Sequence, residues 1–502
     1  MIGRKSFLIV LSRFGSAGLA FIGLFFMTRY LGADVYGSVS WTIAFVATFN
    51  SLADLGFGAA HVKRISEGGN LDECVSTYAF VKVVLTAIMV VTVLLSILIW
   101  GVVSGKWYSS TTFEVILLFI LYFVFYDIAG IATATFDARV ETARTQISLF
   151  FDPLIRIPLI VFVSINRLSA VHLAYAFVLG GMGVVIISLL LLSKYRIRFR
   201  KPTLFRSYLK FAFPIALVSV MGAISANADK LLIGFFWSNP DVGYYSASQS
   251  FLSLFAVIGA AVSTLTFPTF SKLHSEGRMD QVREKTRLAE RYISMLVMPI
   301  AVFILLFPNE IAVIMFGGTF EAAAGPLRFL SISMMLSLLN GVYSSQIIAV
   351  NRPDISAKLT LLSLTVNTSL LVIFIPVSVL GINLLGLAET GAAIANMLGI
   401  AALFIPTRFV VMRLTGTRSN PRILLHVVAA AITGLLLVGI SNIWLITHWY
   451  DLIGYGLISA SIFGFLLYLM KEITLTDVKF FASVINPQEM KDYISSEFKK
   501  ND

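Results

Sequence analysis

The chain of 502 residues is 58% hydrophobic and only 13% charged, and its mean hydropathy is +0.87. Soluble domains carry about 25% charged residues, so this composition excludes a soluble protein and places the chain in a membrane. The single cysteine, Cys74, excludes an intramolecular disulfide and a cysteine-based zinc site, and the five histidines lack the spacing of metal ligands. We therefore expect no metal site.

Apolar stretches recur along the whole chain, each about 20 residues long and so able to cross a hydrocarbon core of roughly 30 Å as a helix. The first runs from near the N-terminus to about Leu31, which favours a transmembrane helix over a cleaved signal peptide. We predict an all-α integral membrane protein with about 14 transmembrane helices. The predicted spans are 7–30, 37–60, 78–100, 113–135, 147–165, 170–192, 211–236, 244–270, 292–314, 327–350, 358–378, 388–411, 423–445 and 451–470.

Basic residues between the spans predict the orientation of the chain. If the N-terminus is cytoplasmic, the inside segments carry 30 Lys and Arg residues, whereas the outside loops carry only Lys106 and Arg167. Positive charge marks the cytoplasmic side, so we predict a multi-pass protein of the cytoplasmic membrane with both termini in the cytoplasm. The net charge of +11 then reflects this orientation, and no nucleic-acid partner is expected.

A weak internal repeat relates the two halves of the chain. Asp34-Val35 matches Asp241-Val242 at an offset of 207, and a Ser-Glu-Gly motif at Ser66 matches another at Ser275 at an offset of 209. Six spans separate the two copies, so the repeat is parallel about an axis along the membrane normal. We predict two six-helix lobes and two added helices before a cytoplasmic tail that is either an amphipathic helix or solvated; the four segments are 1–200, 201–415, 416–471 and 472–502.

Two stretches carry a resemblance to a known family. They are RYLGADVYGSVSWTIAFVATFNSLADLGFGAAHVKRIS at 29–66 and ADKLLIGFFWSNPDVGYYSASQSF at 228–251. They resemble the lobe-opening signatures of polysaccharide flippases, which belong to one superfamily with peptidoglycan lipid flippases and multidrug extruders. The resemblance implies alternating-access export of a lipid-linked oligosaccharide across the cytoplasmic membrane by a protein that is not an enzyme. It also implies no cofactor beyond a coupling ion, H⁺ or Na⁺, and a lipid-tail groove along the last two helices.

Charged residues within the spans are the candidate site residues, because a central charge costs about 2.5–3.5 kcal/mol on insertion scales. A lipid-linked sugar carries phosphate or pyrophosphate, and Arg13 and Arg156 are candidate contacts for that anion. Arg13 alternatively snorkels to the inner surface. Arg156 alternatively neutralises Asp152, four residues earlier on the same helix. Pro153 and Pro158 interrupt this span, as in the broken helices of transporter sites.

Asp229 and Lys230 stand side by side near the predicted midplane of the seventh span. Adjacent helical residues point about 100° apart, so the two side chains are not expected to pair with each other. In one interpretation Lys230 contacts the cargo phosphate, while Asp229, with Asp54 and Asp152, is a gating or ion-coupling carboxylate. In the other, each charge pairs across helices and holds the lobes in register. Lys82, at the start of a span, is interpreted as a marker of topology.

Two alternative functions stay open at this point. A multidrug exporter of the same superfamily is the first, although such exporters usually have twelve spans. A membrane-embedded polysaccharide polymerase or glycosyltransferase is the second, but the outside loops are only about a dozen residues long and carry no paired-acid motif. The expected partners are the lipid-linked oligosaccharide, membrane lipids and a polymerase or glycosyltransferases of the same pathway.

Overall fold

The computed structural model describes residues 2–105 and 108–474, and the predicted tail helix lies outside this part of the chain. The side chains of a few helical residues, Arg13 among them, also lie outside the description. The described chain is almost entirely helical, which confirms the predicted all-α fold. Its α-helices are α1 (Ile2–Asn50), α2 (Phe57–Ser66), α3 (Leu71–Ser104), α4 (Ser110–Ala138), α5 (Thr142–Ile165), α6 (Ala170–Ser193), α7 (Phe205–Phe236), α8 (Asn239–Ser253), α9 (Ala256–Ser275), α10 (Met279–Leu306), α11 (Pro308–Ile311), α12 (Ala324–Ala349), α13 (Pro353–Phe374), α14 (Ala388–Thr415), α15 (Ile423–Ser441) and α16 (Trp449–Leu469).

Short elements fill the connections between these helices. A π-helical turn and a 3₁₀ helix, Ala312–Phe316 and Gly318–Ala323, lead into α12. Between α13 and α14, strands β1 (Ser378–Val379) and β2 (Ile382–Asn383) form an antiparallel hairpin. The two residues of its turn, Leu380 and Gly381, have φ values of 51° and 81°, as a two-residue hairpin turn of type I′ requires.

Eleven helices in the described ranges are long and apolar enough to cross a membrane. One of these candidates, Phe14–Ala53, contains two successive spans, because the backbone leaves the helical region at Gly32, where φ is 79° and ψ is 175°. Two further predicted spans, 211–236 and 244–270, coincide with α7 and with α8 followed by α9. Each of the fourteen predicted spans therefore coincides with helical structure, and the protein is a multi-pass membrane protein.

The second predicted span differs from the prediction of one helix over 37–60. Helix α1 ends at Asn50, a 3₁₀ turn follows, and α2 begins only at Phe57. At the break, Leu55 and Gly56 have φ values of 44° and 80°, which are incompatible with a continuous helix. Hydropathy does not detect such a break because, apart from Asp54, its residues are small or apolar.

The contacts of the chain divide it into two compact units. We call residues 11–247 with 371–392 the first unit, and the described residues up to 10, from 248 to 370 and from 393 onward the second unit. These units are defined by contacts and not by the repeat, so the predicted lobe boundary near residue 200 stays a prediction.

Glycines bring the helices of the first unit close together. A Cβ at Gly180 of α6 would lie 2.4 Å from Asp152 Oδ1 of α5, and a Cβ at Gly183 would lie 2.3 Å from Ile155 Cδ1. Small residues permit such close helix packing in membranes, where no hydrophobic driving force between helices is available. The close packing matters for the site because it presses α6 directly against Asp152.

The two repeat motifs meet each other within the first unit, where α1 crosses α8. A Cβ at Gly37 would lie 1.8 Å from the carbonyl oxygen of Asn239, and one at Gly243 would lie 2.5 Å from the carbonyl oxygen of Ala33. Beside these glycines, Asn239 Nδ2 donates a hydrogen bond to Asp34 Oδ1 over 3.4 Å. Glycine is required on both helices for this crossing.

In the second unit, the two added helices pack on α10. Met298 of α10, Ala429 of α15 and Phe463 of α16 belong to one buried apolar cluster. Near the end of this unit, Ser459 of α16 donates a hydrogen bond to the carbonyl oxygen of Pro299 over 3.2 Å. That bond joins α16 directly to the backbone of α10.

Candidate ion and substrate sites

A buried ion cluster lies between α3 and α4 of the first unit. Lys82 Nζ is 2.8 Å from Asp127 Oδ1 and 3.9 Å from Asp54 Oδ1. Thr86 donates a second hydrogen bond to Asp127 Oδ2 over 3.2 Å. The side chains of Lys82 and Asp127 are only 8% and 5% exposed, so Lys82 is held in a buried ion pair, and its interpretation as a marker of topology stays a prediction.

Asp54 joins this cluster to the break after α1. Its carboxylate accepts hydrogen bonds from the backbone N–H groups of Gly56 and Gly58, each over 3.2 Å, and from the hydroxyl of Tyr78 over 3.3 Å. Asp54 therefore binds the N–H group of Gly56, just before α2, and that of Gly58 in its first turn, which has no partner within the helix. Its side chain is 45% exposed, so it is the member of the cluster that an entering ion or headgroup can reach.

Asp152 and Arg156 form an ion pair along one face of α5. Arg156 Nη2 is 2.8 Å from Asp152 Oδ2, and the guanidinium carbon lies 4.6 Å from the ring centroid of Phe177 on α6. The side chain of Asp152 is 4% exposed, and that of Arg156 is 20% exposed. The local pairing expected from the four-residue spacing is present, and the exposed part of Arg156 is still available to a ligand.

Asp229 of α7 is also buried, and its partner lies on the next helix. The hydroxyl of Tyr245 on α8 donates a hydrogen bond to Asp229 Oδ2 over 2.7 Å. Tyr245 is fully buried and Asp229 is 5% exposed. Lys230 does not form an ion pair with Asp229. Within the described ranges, no carboxylate lies within 4.0 Å of the Lys230 side chain, which is partly exposed.

The predicted site residues therefore fall into separate clusters of the first unit. Asp54 lies with Lys82, Asp152 lies with Arg156, and Asp229 lies with Tyr245. Arg13 belongs to α1, but its side chain lies outside the described part. Asp127 and Lys82 complete a cluster that sequence reasoning did not assemble. The only signal in the sequence is the position of these two charges. Lys82 lies about eleven residues after the start of α3, and Asp127 lies about eleven residues before the end of α4, so each is roughly 16 Å from that helix end at 1.5 Å per residue.

Two buried charges of the second unit, Glu290 and Arg291, lie 11 and 12 residues after the start of α10, just before the predicted span 292–314 on its cytoplasmic side. Arg291 Nε of α10 is 2.5 Å from Glu472 Oε1, just beyond α16, and Arg422 Nε is 3.4 Å from the other oxygen of Glu472. Glu290, the neighbour of Arg291, accepts a short hydrogen bond from the hydroxyl of Tyr343 on α12. Such contacts fix α10, α12 and the end of α16 to one another.

No group of three or more His, Cys, Asp or Glu residues in the described ranges is placed to hold a metal ion. Two carboxylates of the first unit, those of Asp54 and Asp229, each accept a hydrogen bond from a tyrosine hydroxyl.

Comparison with known families identifies the chain. The sequence profile of a family described as "Polysaccharide biosynthesis protein" matches residues 26–325, which is more than half of the chain. The protein belongs to this family. Among its relatives, a Haloferax volcanii protein named "Probable low-salt glycan biosynthesis flippase Agl15" is 26% identical over 417 residues, covering 80% of this chain and 81% of the relative. A second protein of that organism, "Probable flippase AglR", is 26% identical over 183 residues, 34% of this chain and 35% of the relative.

Solved structures place this polysaccharide biosynthesis protein in a known transporter fold. An inward closed structure of the lipid II flippase MurJ superposes with a TM-score of 0.71 at 14% identity, covering 91% of this chain and 98% of the other. An inward-facing multidrug resistance transporter of the MATE family, from the MOP superfamily, gives a TM-score of 0.62 at 17% identity, covering 82% and 100%. The predicted fold is thereby confirmed, and the family match confirms the predicted resemblance to polysaccharide biosynthesis proteins.

Proposed function

We propose that the protein flips a lipid-linked oligosaccharide, carried on polyprenyl phosphate or pyrophosphate, across the cytoplasmic membrane for cell-surface polysaccharide synthesis. The observation that carries this proposal is family membership, together with a match over four fifths of both chains to a relative named as a glycan flippase. The protein then acts as a transporter and not as an enzyme, with both termini in the cytoplasm. Its partners are the lipid-linked glycan, membrane lipids and the polymerase or glycosyltransferases of the pathway.

The charges of the first unit supply the chemistry that such a cargo needs. The phosphate is anionic, and in a low-dielectric surrounding it requires fixed positive charge. Lys230, with no described carboxylate partner, and the exposed part of Arg156 are the proposed contacts, with Arg13 as a third. Because Arg156 is already paired with Asp152, it offers the phosphate a positioned donor, and Lys230 offers a net positive charge.

Ion coupling is assigned to the carboxylates Asp54, Asp152 and Asp229. Binding of H⁺ or Na⁺ at a buried carboxylate removes a charge from low dielectric, and this change favours one packing of the surrounding helices over another. Asp229 is the sharpest candidate, because its bond to Tyr245 joins α7 to α8 and would change when the carboxylate is neutralised.

Alternating access is proposed to open the crossing of α1 and α8, which joins the predicted lobes 1–200 and 201–415. The crossing rests on the backbones of Gly37 and Gly243 and on one long hydrogen bond between Asn239 and Asp34. The close backbone approach at the two glycines and the 3.4 Å hydrogen bond are contacts that opening would break. The added helices α15 and α16 are proposed to hold the polyprenyl tail.

Multidrug export is the second candidate, because the fold is also that of a multidrug transporter, with a TM-score of 0.62. The likeness to that multidrug transporter shows the fold alone, whereas the family that matches this chain is itself described as "Polysaccharide biosynthesis protein". The two functions differ in the phenotype of a deletion strain.

Deletion of the gene from its source organism tests the proposal. We expect loss of one surface glycan and accumulation of its lipid-linked precursor, with the glycan accessible only from the cytoplasmic face. Re-expression of the intact chain should restore the glycan. Unchanged glycan in a strain with no second copy of such a gene, together with increased sensitivity to drugs, would favour the exporter.

A further inference from the structure

A cavity of about 270 Å³ lies within the second unit, among α8, α9, α12 and α14. Ser333 is nine residues into α12, and Asn396 is eight residues into α14. At 1.5 Å per residue they lie about 12–14 Å from the starts of their helices, near the middle of a core of roughly 30 Å. The cavity is thus at the depth where transporter substrates bind.

The lining of this cavity is neutral throughout. Its walls are aliphatic side chains such as Leu252 and Met334, and its polar groups are the amides and hydroxyls of Gln249, Ser333 and Asn396 with two further serines. A phosphate would find no positive charge here, and a cation would find no carboxylate. The polar groups suit a neutral ligand that both donates and accepts hydrogen bonds.

The Asn396 amide has hydrogen-bonding capacity to spare. Ser333, which is 5% exposed, bonds Asn396 Oδ1 over 2.7 Å. The amide can bond Ser333 with only one of its two ends, whichever way it is turned. Among the described residues, the other end has no hydrogen-bond partner. An amide end in an apolar cavity at this depth is stabilised by a ligand or by water.

The break between α8 and α9 borders the same cavity. Helix α8 ends at Ser253, α9 begins at Ala256, and both of these residues line the cavity. In membrane proteins, irregular backbone at this depth is tolerated where it is buried or lines a cavity, and broken helices mark transporter sites. The break in the backbone is independent of the side chains that line the cavity, and it also indicates a binding site in this cavity.

We propose that this cavity binds one sugar residue of the cargo. A sugar ring presents hydroxyl groups that donate and accept, for the Asn396 amide and the serines, and C–H faces for the aliphatic walls. The cavity is slightly below the usual 300–1,000 Å³ of small-molecule sites, which suits one ring and not a whole oligosaccharide. The proposal rests on the proposed function and adds to it a sugar site within the second unit.

The test compares two carriers in detergent-solubilised full-length protein: polyprenyl phosphate bearing one hexose, and polyprenyl phosphate without sugar. Ser333→Ala combined with Asn396→Leu should weaken binding of the glycosylated carrier about tenfold, as expected for two hydrogen bonds, and leave the bare carrier unchanged. Ser337→Ala, which removes a hydroxyl that lines the cavity, should give a smaller shift in the same direction. Asn442→Leu, an exposed position after α15, is the matched control and should change neither affinity.

Each other outcome has a definite meaning. Equal weakening for both carriers would overturn the proposal in favour of a lipid-tail site or a packing role. Unchanged binding of both carriers, with the variants folded as judged by thermal unfolding, would overturn it in favour of a water-filled cavity. If the unaltered protein binds neither carrier, the proposed function itself fails, and the sugar site fails with it.

Discussion

The two units of the molecule place their charges differently. In the first unit, Lys82, Asp127, Asp152 and Asp229 are buried well inside membrane-spanning helices. In the second, the buried Arg291 is also well inside its helix, 12 residues after the start of α10 (291 − 279), but it pairs with Glu472 beyond the end of α16, and the cavity at mid-depth is lined by neutral groups.

The difference shows where the chain tolerates an unfavourable arrangement. Buried ion pairs are often no more stable than apolar residues of similar shape, so three charged clusters in one unit do not explain its stability. We propose that they meet a functional requirement for charge at that depth, set by an anionic headgroup and a coupling ion. The neutral cavity indicates a different requirement in the second unit.

The largest expected effect is at Lys82. Lys82→Met leaves the Asp127 carboxylate buried without its cation, which should destabilise the protein by about 3–5 kcal/mol. Thermal unfolding of purified protein measures this effect. Lys63→Met is the matched control, because Lys63 is 42% exposed and its contact with Glu67 is 3.7 Å long, so we expect a change below about 1 kcal/mol.

The double variant Lys82→Met with Asp127→Leu sharpens the result. An apolar pair should recover most of the lost stability. If the cluster is needed for transport, this stable protein should still fail to flip its cargo. Full transport by the double variant would show that the cluster is only structural, and the contrast between the units would lose its functional meaning.

The second effect concerns the α5 pair. Asp152→Asn together with Arg156→Gln removes both charges and keeps similar shapes, so the protein should fold with a loss of only about 1–2 kcal/mol. We expect transport to fall at least tenfold, because the phosphate loses a positioned guanidinium. Arg29→Gln is the comparison variant for loss of one positive charge outside the clusters. Normal transport by the double variant would mean that the two charges serve only each other.

A smaller change in stability is expected at Asp229. Asp229→Asn keeps an oxygen that accepts from Tyr245 but removes the charge, so the protein should reach normal abundance in the membrane. We expect transport to lose its dependence on the ion gradient. Tyr245→Phe tests the same bond from the other side and should shift that dependence without abolishing it. A fully active, gradient-dependent Asp229→Asn protein would remove Asp229 from the coupling scheme.

The smallest effect is at a charge outside the spans. Glu141 contacts Arg139, Arg144 and Tyr195 near the predicted cytoplasmic surface of the first unit. Burial alone would raise the pKa of Glu141, but hydrogen bonds from Tyr195 and Arg139 and the nearby positive charges outweigh it, so the pKa lies below its ordinary value of 4.5.

A lowered carboxyl pKa stabilises the folded protein above the ordinary value, and the contribution is lost as the pH falls through the folded-state pKa. The stability difference between the unaltered protein and Glu141→Gln should therefore be small and constant near neutral pH and should vanish in acid. Unfolding temperatures measured from pH 7 down to the acid range check this. A stability difference between the two proteins that grows as the pH falls would contradict the lowered pKa of Glu141.

Local patterns predicted the helices and the pairing of Asp152 with Arg156, because both depend on residues close in sequence. The partners of Asp229 and Lys82 could not be predicted in the same way. Asp229 binds an uncharged tyrosine on another helix, and Lys82 binds an aspartate 45 residues away (127 − 82) that has no distinctive motif. Hydropathy measures how apolar a segment is and carries no information on which helix faces touch.

The central claim is that the purified protein itself flips a lipid-linked oligosaccharide through a crossing of α1 and α8 that opens. The most direct measurement is flipping in vesicles of a fluorescent lipid-linked oligosaccharide by the Asp34→Cys and Asn239→Cys double variant, whose two altered side chains are in contact in the native protein. Cys74 is buried and is the one native cysteine, so oxidation acts on the introduced pair. We predict flipping under reducing conditions, arrest on oxidation and recovery on reduction. The claim would be contradicted if neither the double variant nor the unaltered protein flipped the lipid faster than it crosses protein-free vesicles.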